Sequence, residues 1–221
     1  MKDSGVEWLG EIPENWEVKP LKSVATYNDE TLKDSTPEDQ ILKYVEIGGV
    51  SLEKGIEEIQ KTSFKDAPSR ARRIVRENDI IISTVRTYLK AIAKIEKEQD
   101  GFIASTGFAV IRPKAIIPEY LGLLIQAENF IDEIIANSVG VSYPAINASD
   151  LMQIKIPVPN KAEQLAISEK LENSNSKIFQ SIGQIENSLE KLKRYRQSII
   201  SEAVTGKIDV REWEPQEKET A

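Results

Sequence analysis

The sequence predicts an α+β protein in which one mixed α/β domain is followed by a single long α-helix that forms a coiled coil. Short apolar runs rich in β-branched residues between residues 80 and 111 indicate strands. An amphipathic stretch over residues 118–137 indicates a helix, and a proline-free heptad pattern fills residues 160–206. We therefore expect a domain over residues 1–159, the long helix over 160–206 and an acidic C-terminal tail over 207–221.

The composition narrows the chemistry that is open to the chain. Its 221 residues, 40% of them apolar and 29% charged, are enough to bury the core of a globular domain. Cysteine and histidine are both absent, which excludes disulfides, thiolate or imidazole metal sites and Ser-His or Cys-His nucleophiles. No glycine-rich phosphate or dinucleotide motif occurs. We expect no catalytic residue, no metal site and no cofactor.

Nothing in the sequence predicts contact with a membrane. The most apolar window, residues 116–135, is interrupted by Pro118 and by four acidic residues, so it does not predict a membrane span. The polar stretch that follows Met1 is unlike a signal peptide. Together with the lack of cysteine, these features lead us to expect a cytoplasmic protein without a membrane partner.

Three runs in the first domain have the pattern of strands. Residues 80–85 follow an Asn-Asp turn and are mostly β-branched, and residues 90–95 alternate between apolar and polar. Residues 102–111 form a third apolar run, which Gly107 interrupts. The following stretch, residues 118–137, is predicted to be one helix packed on these strands, with Pro118 in its first turn.

The long helix is the clearest feature of the sequence. Asn160 can cap its start, and Glu163 stands three residues later, at the spacing of a capping box. Gly206 can end it in the left-handed conformation. The interval is about 45 residues, or roughly 65 Å at the rise of an α-helix.

A heptad seam runs along this helix and consists of two sets of core positions. The first set is Leu171, Ile178, Ile185, Leu192 and Ile199; the second is Asn175, Ile182, Leu189, Arg196 and Ala203. A helix of this length cannot bury the whole seam on the domain beside it, so we expect a coiled-coil partner in the same or another chain. Asn175 is a polar core residue of the kind that fixes register. The alternative is a helix that lies over its own domain.

Charge is distributed unevenly along the chain. Residues 61–97 contain ten basic and four acidic residues, a charge of +6, whereas the whole chain carries −7 and the remainder therefore −13. An overall acidic protein is no general nucleic-acid coat, but a segregated basic segment can face phosphates.

Several motifs resemble those of the specificity subunits of type I restriction-modification systems, and together they extend over nearly the whole chain. They are residues 5–16 (GVEWLGEIPENW), 81–86 (IISTVR), 104–108 (ASTGF), 141–146 (VSYPAI), 156–159 (IPVP) with Glu163-Gln164, and 195–208 (YRQSIISEAVTGKI).

The resemblance implies a fold and a function. In that family a target-recognition domain precedes a conserved helix, the unit occurs twice in a chain, and the two helices pair antiparallel. Separate methyltransferase (M) and restriction (R) subunits perform the chemistry, so the implied partners are double-stranded DNA and these subunits. Only one unit is present here, without an internal repeat. The chain is therefore either a half-length subunit that pairs with itself or a fragment. The start at Met1 and the short tail after Trp213 favour a complete half-length subunit that forms a homodimer.

The resemblance does not identify the residues that contact DNA, so candidates follow from side-chain chemistry. Arginine can bind guanine edges and phosphates, and hydroxyl groups can position the DNA backbone. The candidates are Lys65, Arg70, Arg72, Arg73, Arg86, Tyr88, Lys90, Ser105, Thr106, Ser142 and Tyr143. The candidates for dimerisation are Leu171, Asn175, Ile178, Ile182, Ile185, Leu189, Leu192 and Ile199.

Two other functions stay open on the sequence alone. One is a carboxylate-dependent nuclease with a coiled-coil dimeriser, which would need clustered acidic residues in the first domain. The other is an inhibitor that does not bind DNA and captures another coiled coil; the basic segment at 61–97 argues against a DNA mimic.

Overall fold

A computed structural model describes residues 1–140, 142–209 and 211, which form two compact units. The first unit is Met1–Glu169, and the second begins at Lys170. The first unit therefore includes the first turns of the long helix as well as the predicted domain. Most of the predicted acidic tail, with Trp213, lies outside the described residues, as does Val141 of the motif at 141–146.

The observed elements confirm the predicted fold class, a mixed α/β domain with a long C-terminal helix. The strands are β1 (Lys2–Asp3), β2 (Glu11–Ile12), β3 (Glu17–Pro20), β4 (Ala25–Tyr27), β5 (Ile41–Val45), β6 (Val50–Ser51), β7 (Gly55–Ile56), β8 (Gln60–Ser63), β9 (Ala71–Ile74), β10 (Ile80–Ser83), β11 (Ile92–Lys94), β12 (Ile103–Ser105), β13 (Phe108–Pro113) and β14 (Lys155–Val158). The helices are α1 (Pro118–Ile125), α2 (Glu128–Ala136), α3 (Ala148–Leu151) and α4 (Lys161–Val204). Among the described residues, no helix is long and apolar enough to cross a membrane.

Two four-stranded sheets form the frame of the first unit. Their strand orders are β11-β10-β13-β4 and β8-β5-β12-β9, and within them only β12 and β5 pair in parallel. Strands β14 and β3 form a separate antiparallel pair, through which the residues just before α4 are tied to the N-terminal segment.

Strand β10 lies in the middle of the core, which explains its run of three isoleucines. Successive residues of a strand point to opposite faces of the sheet. Ile80 and Ile82 pack in the cluster beneath α1 and α2, whereas Ile81 packs in a second cluster with Phe102 and Phe108. Both faces are covered, so all three positions are apolar, and the buried Ser83 at the end of the strand donates a hydrogen bond to the carbonyl of Val85.

The apolar run at residues 102–111 forms two strands that belong to different sheets. Strand β12 precedes Gly107 and β13 follows it. A side chain at Gly107 would place its Cβ 2.6 Å from Cδ1 of Ile47, so Ile47 would have to move before the turn between the sheets could admit one. In the sequence, Gly107 therefore marked the point at which this run divides into two strands.

The single helix predicted over residues 118–137 is wrong, because Gln126 and Ala127 divide it into α1 and α2. At 100° per residue, an unbroken helix would direct Phe130 and Ile134 away from the side that carries Leu121 and Ile125. All four side chains are buried in one cluster. The extended backbone of Ala127 (ψ 135°) reorients α2 so that both apolar faces cover the same sheet.

Both predicted ends of the long helix are confirmed. Oδ1 of Asn160 accepts a hydrogen bond from the backbone N–H of Glu163 at 3.0 Å, the bond expected of an N-cap. At the other end Gly206 has a φ of +73°, and the N–H groups of Gly206 and Lys207 donate to the carbonyls of Ala203 and Glu202. This pair of bonds is the Schellman motif.

Candidate nucleic-acid interface

The loop that follows β10 has a backbone that is held in an unfavourable conformation. Arg86 (φ 50°) and Lys90 (φ 52°) both lie in the left-handed region, on either side of the short helical turn Thr87–Leu89. This conformation costs a residue with a side chain about 1–2 kcal/mol. Its effect is to bury Thr87 while Tyr88 and Leu89 remain half exposed. Strained, exposed loops of this kind concentrate at ligand-binding sites.

Contacts to a second segment, residues 138–140 and 142–145, hold the first loop in place. The N–H of Arg86 donates to the carbonyl of Pro144 at 2.7 Å, and the hydroxyl groups of Thr87 and Ser138 lie 3.0 Å apart. The guanidinium of Arg86 stacks over the ring of Tyr143 at 4.9 Å. Arginine and an exposed tyrosine are therefore presented together by two loops that are distant in sequence.

A third segment completes a cleft of about 530 Å³ beside these loops. Arg70 lines the cleft, and its carbonyl accepts a hydrogen bond of 2.8 Å from the N–H of Thr106, which is exposed. The remaining lining residues are Glu46, Ile47, Gly48, Val85, Arg86, Leu89 and Tyr143. Among the described residues, no carboxylate lies within ion-pair distance of Arg70 or Arg86. Both arginines are thus available to an anionic or hydrogen-bonding ligand.

The structure brings together a subset of the predicted DNA-contact residues. We call this subset the 70–143 surface; its members are Arg70, Arg86, Tyr88, Thr106 and Tyr143. Ser142 is exposed next to it in the chain, and Lys90 is half buried with its Nζ 3.9 Å from Glu128. Leu89 and the segment Glu46–Gly48 were missed by the sequence analysis. The one sequence signal available for Leu89 was an apolar residue in the segment between the predicted strands at 80–85 and 90–95.

The other candidates lie elsewhere and are engaged in structural contacts. Arg72 stacks over Phe64 at 5.0 Å, and Arg73 contacts the hydroxyl of Thr31 at 3.4 Å; neither arginine lines the cleft. Lys65 is exposed but faces Glu38 at 3.5 Å. Ser105 is buried, and its hydroxyl accepts from the N–H of Gly107, so in this conformation it offers no surface to DNA.

The basic segment presents fewer unpaired cations than its sequence suggests, because acidic residues from elsewhere neutralise several of them. Arg76 forms an ion pair with Glu30 at 2.6 Å, and Lys94 forms one with Glu119 at 3.2 Å. Arg112, outside the segment, binds the buried Asp79 through two hydrogen bonds of 2.8 Å. Hydrogen bonds from Arg76 and then from Arg112 lower the pKa of Glu30 to about 2. This network stabilises the fold rather than binding a ligand.

The start of α4 is fixed to the first unit by polar contacts. Gln164 is buried; its Oε1 accepts from the N–H of Ile117, and its Nε2 donates to the carbonyl of Pro159. The carboxylate of Glu163 accepts from the amide of Asn15. Thus the motif Glu163-Gln164 joins the helix to the domain.

The second unit presents a helix whose apolar seam is uncovered. The apolar side chains predicted for dimerisation are between 39% and 67% exposed in the single chain, and Asn175 is also exposed. They are Leu171, Ile178, Ile182, Ile185, Leu189, Leu192 and Ile199. An exposed stripe of this length is typical of a surface that pairs with another helix.

No group of three or more carboxylates that could hold a metal ion occurs in the described part of the chain.

Comparison with known proteins places these features in context. The model of a family described as "Type I restriction modification DNA specificity domain" matches residues 13–191. The chain is 26% identical over 211 residues to the StySPI specificity subunit of Salmonella potsdam, covering 90% of this chain and 44% of the relative. It is 27% identical to the EcoKI specificity subunit of Escherichia coli K12, covering 94% and 47%. The chain thus spans about half the length of these relatives.

Solved structures show the same architecture. The chain resembles the HsdS subunit from Thermoanaerobacter tengcongensis with a TM-score of 0.71 and 27% identity, covering 94% of this chain and 52% of that one. A second structure, from work on complex assembly and conformational transition of the type I R-M system, matches with a TM-score of 0.73 and 26% identity, covering 94% and 53%.

Proposed function

Because the chain belongs to the family of type I restriction-modification DNA specificity domains, we propose that it is the non-catalytic, sequence-reading subunit of such a system. In this role the chain directs partner methyltransferase and restriction subunits to a DNA site. The relatives support this proposal by their names as specificity subunits of type I restriction enzymes. For this chain, the observation that supports a DNA-reading role is the 70–143 surface.

The chemistry of the 70–143 surface suits double-stranded DNA. Arg70 and Arg86 can each donate two hydrogen bonds to a guanine edge, or bind phosphates. Tyr88 and Tyr143 supply exposed rings, and Thr106 supplies a hydroxyl group for the sugar-phosphate backbone. The overall charge of −7 opposes approach to phosphate, so we expect the isolated chain to bind DNA weakly and the assembled complex to bind it tightly.

We place a second copy of the chain on the long helix. The chain spans about half the length of its curated relatives, and its apolar seam is uncovered. A homodimer would supply two recognition domains and cover both seams. A two-fold dimer presents the same reading surface twice, so the target would be a split palindrome with an unread spacer. The cytoplasm, where the DNA lies, is the proposed location.

The test is to combine the chain with the methyltransferase subunit of the system to which it belongs. DNA methylation should require both proteins, and the chain alone should neither cleave nor methylate DNA in the presence of magnesium or a methyl donor. Cleavage by the pure chain would instead favour the carboxylate-dependent nuclease. Methylation at the same sites without the chain would contradict the proposed role.

A further inference from the structure

The charged residues that flank the seam favour one arrangement of two paired copies of α4. In a heptad, two flanking positions border the core and contact the partner helix. One flank of α4 carries Glu172, Phe179, Glu186, Lys193 and Ile200. The other carries Ser174, Ser181, Ser188, Tyr195 and Glu202. Along the described helix an ion pair joins Arg194 to Glu190, whereas Glu186, Lys193 and Arg196 have no partner within their own chain.

A parallel pair would be poorly matched. In that arrangement each flank faces the opposite flank of the partner, so Glu186 and Lys193 would both face serines. Core positions would face their own copies, and Arg196 would then be buried against Arg196. The favourable Asn175–Asn175 contact would not offset two like charges in the seam, because like charges in contact repel and lose their hydration together.

An antiparallel pair brings each flank against the same flank of the partner, and one register sets opposite charges against each other in the middle of the helix. In it Glu186 faces Lys193 of the partner, and Phe179 faces Ile200 of the partner, each contact occurring twice by symmetry. The core layers are then Ile182 with Ile199 and Leu189 with Leu192. Arg196 packs level with Ile185 of the partner, within one turn of the partner's Glu186, so each Glu186 meets two cations.

Shifting the register by one heptad in either direction loses this match. In one direction Glu186 faces Glu186 of the partner, and Asn175 is buried against Ile199. In the other direction Lys193 faces Lys193 of the partner, and Glu186 faces Ile200. In the matched register Asn175 lies level with the end of the partner helix near Gly206, where the core stops, so its polar side chain need not be buried.

Antiparallel pairing of the helices is what the family resemblance implies; for two copies of this chain we propose the register, the one that sets Glu186 against Lys193 of the partner. This inference rests on the homodimer proposed above, but it does not depend on DNA recognition. The neighbouring registers and the parallel pair each bring like charges into contact, and this repulsion disfavours those arrangements.

Disulfide trapping can distinguish the registers, because the chain contains no cysteine. The double variant Ile182→Cys/Ile199→Cys should form a covalent dimer under mild oxidation, since these residues share a core layer. The matched control Ile182→Cys/Leu192→Cys should not, and it would do so in the neighbouring register. Both cysteine pairs are too far apart on one helix to join within a chain. The single variant Ile182→Cys would be trapped only in a parallel pair.

Charge reversal provides a second measurement that does not depend on oxidation. Glu186→Lys should raise the dimer dissociation constant by about tenfold, and Glu186→Lys/Lys193→Glu should restore it to within about threefold. Trapping of the control pair, trapping of Ile182→Cys alone, or failure of the double reversal to restore the dimer would overturn the register. These assays contain no DNA, so their failure is distinct from a failure of sequence recognition.

Discussion

The two units of this chain differ in whether their side chains find partners within the same chain. In the first unit charged side chains are paired within the chain: the buried Asp79 with Arg112, and the partly exposed Glu30 with Arg76. In the second unit the apolar seam of α4 is exposed along its length. The first unit has the contacts of a domain that is stable by itself, whereas the second presents half of an interface. The proposed homodimer would explain this difference: each copy would read DNA with its own first unit, and two copies would be needed to cover the seam.

The largest effect should come from placing a charge in the seam. Ile182→Asp would bury a carboxylate against apolar residues of the second copy, so we expect the dimer dissociation constant to rise more than about 100-fold. Gln180→Asp, on the opposite face of α4, is the matched control and should leave the dimer intact. Light scattering at micromolar concentration measures both. A monomeric wild type would remove the contrast between the units.

The next effect tests the internal network of the first unit. Arg112→Met leaves the carboxylate of Asp79, which is 1% exposed, without its main cation. We expect a loss of about 3–5 kcal/mol in the free energy of unfolding, because a buried charge is left unpaired. The control Lys114→Met removes an exposed cation 3.7 Å from Asp29 and should cost less than about 1 kcal/mol. Urea unfolding, followed by tryptophan fluorescence, would refute this role if the two variants were equal.

A smaller effect should separate the 70–143 surface from the remaining basic residues. Arg86→Ala should weaken DNA binding by the complex with the methyltransferase subunit by about 1–3 kcal/mol and relax one position in both half-sites. Arg72→Ala, whose guanidinium stacks on Phe64, should affect DNA binding less. Binding titrations on sites altered one base pair at a time provide the comparison. Equal losses for the two variants would mean that the cleft is not the reading surface.

The smallest effect concerns pH. The pKa of Glu30 is lowered from 4.5 to about 2 in the folded chain. A lowered pKa stabilises the fold fully above pH 4.5, and this contribution disappears as the pH falls from 4.5 towards 2. Glu30→Gln should therefore lower the free energy of unfolding by a constant amount above pH 4.5 and flatten its fall between pH 4.5 and 2. Unfolding midpoints measured across this range should differ between the two proteins; parallel curves would assign the acid sensitivity to other groups.

Sequence patterns predicted the elements whose signals are local. The cap at Asn160, the left-handed Gly206 and the heptad seam lie within a few residues or repeat regularly, so the bounds of α4 followed from them. The division between α1 and α2 did not, because propensity favours a continuous helix. The break depends on which side of each helix must cover the sheet.

The candidate site was harder to predict from the sequence than the helices were, because it depends on contacts between distant residues. Residue chemistry identified Arg70, Arg86 and Tyr143, but it also selected Ser105, which is buried, and Arg73, which contacts Thr31. The cleft forms because a hydrogen bond joins Thr106 to Arg70 and because Arg86 stacks on Tyr143. These contacts join residues far apart in sequence. Only the folded chain reveals which cations already have acidic partners.

The central claim is that each copy reads one half-site and that two copies pair. Mapping the methylated positions in DNA tests this claim most directly. The DNA would come from cells that express this chain with its methyltransferase subunit and no other specificity subunit. We expect a split palindrome: two inverted copies of one short half-site, separated by a spacer of fixed length and any sequence. An asymmetric motif with two unrelated halves would show that this surface is not presented twice and would contradict the homodimer.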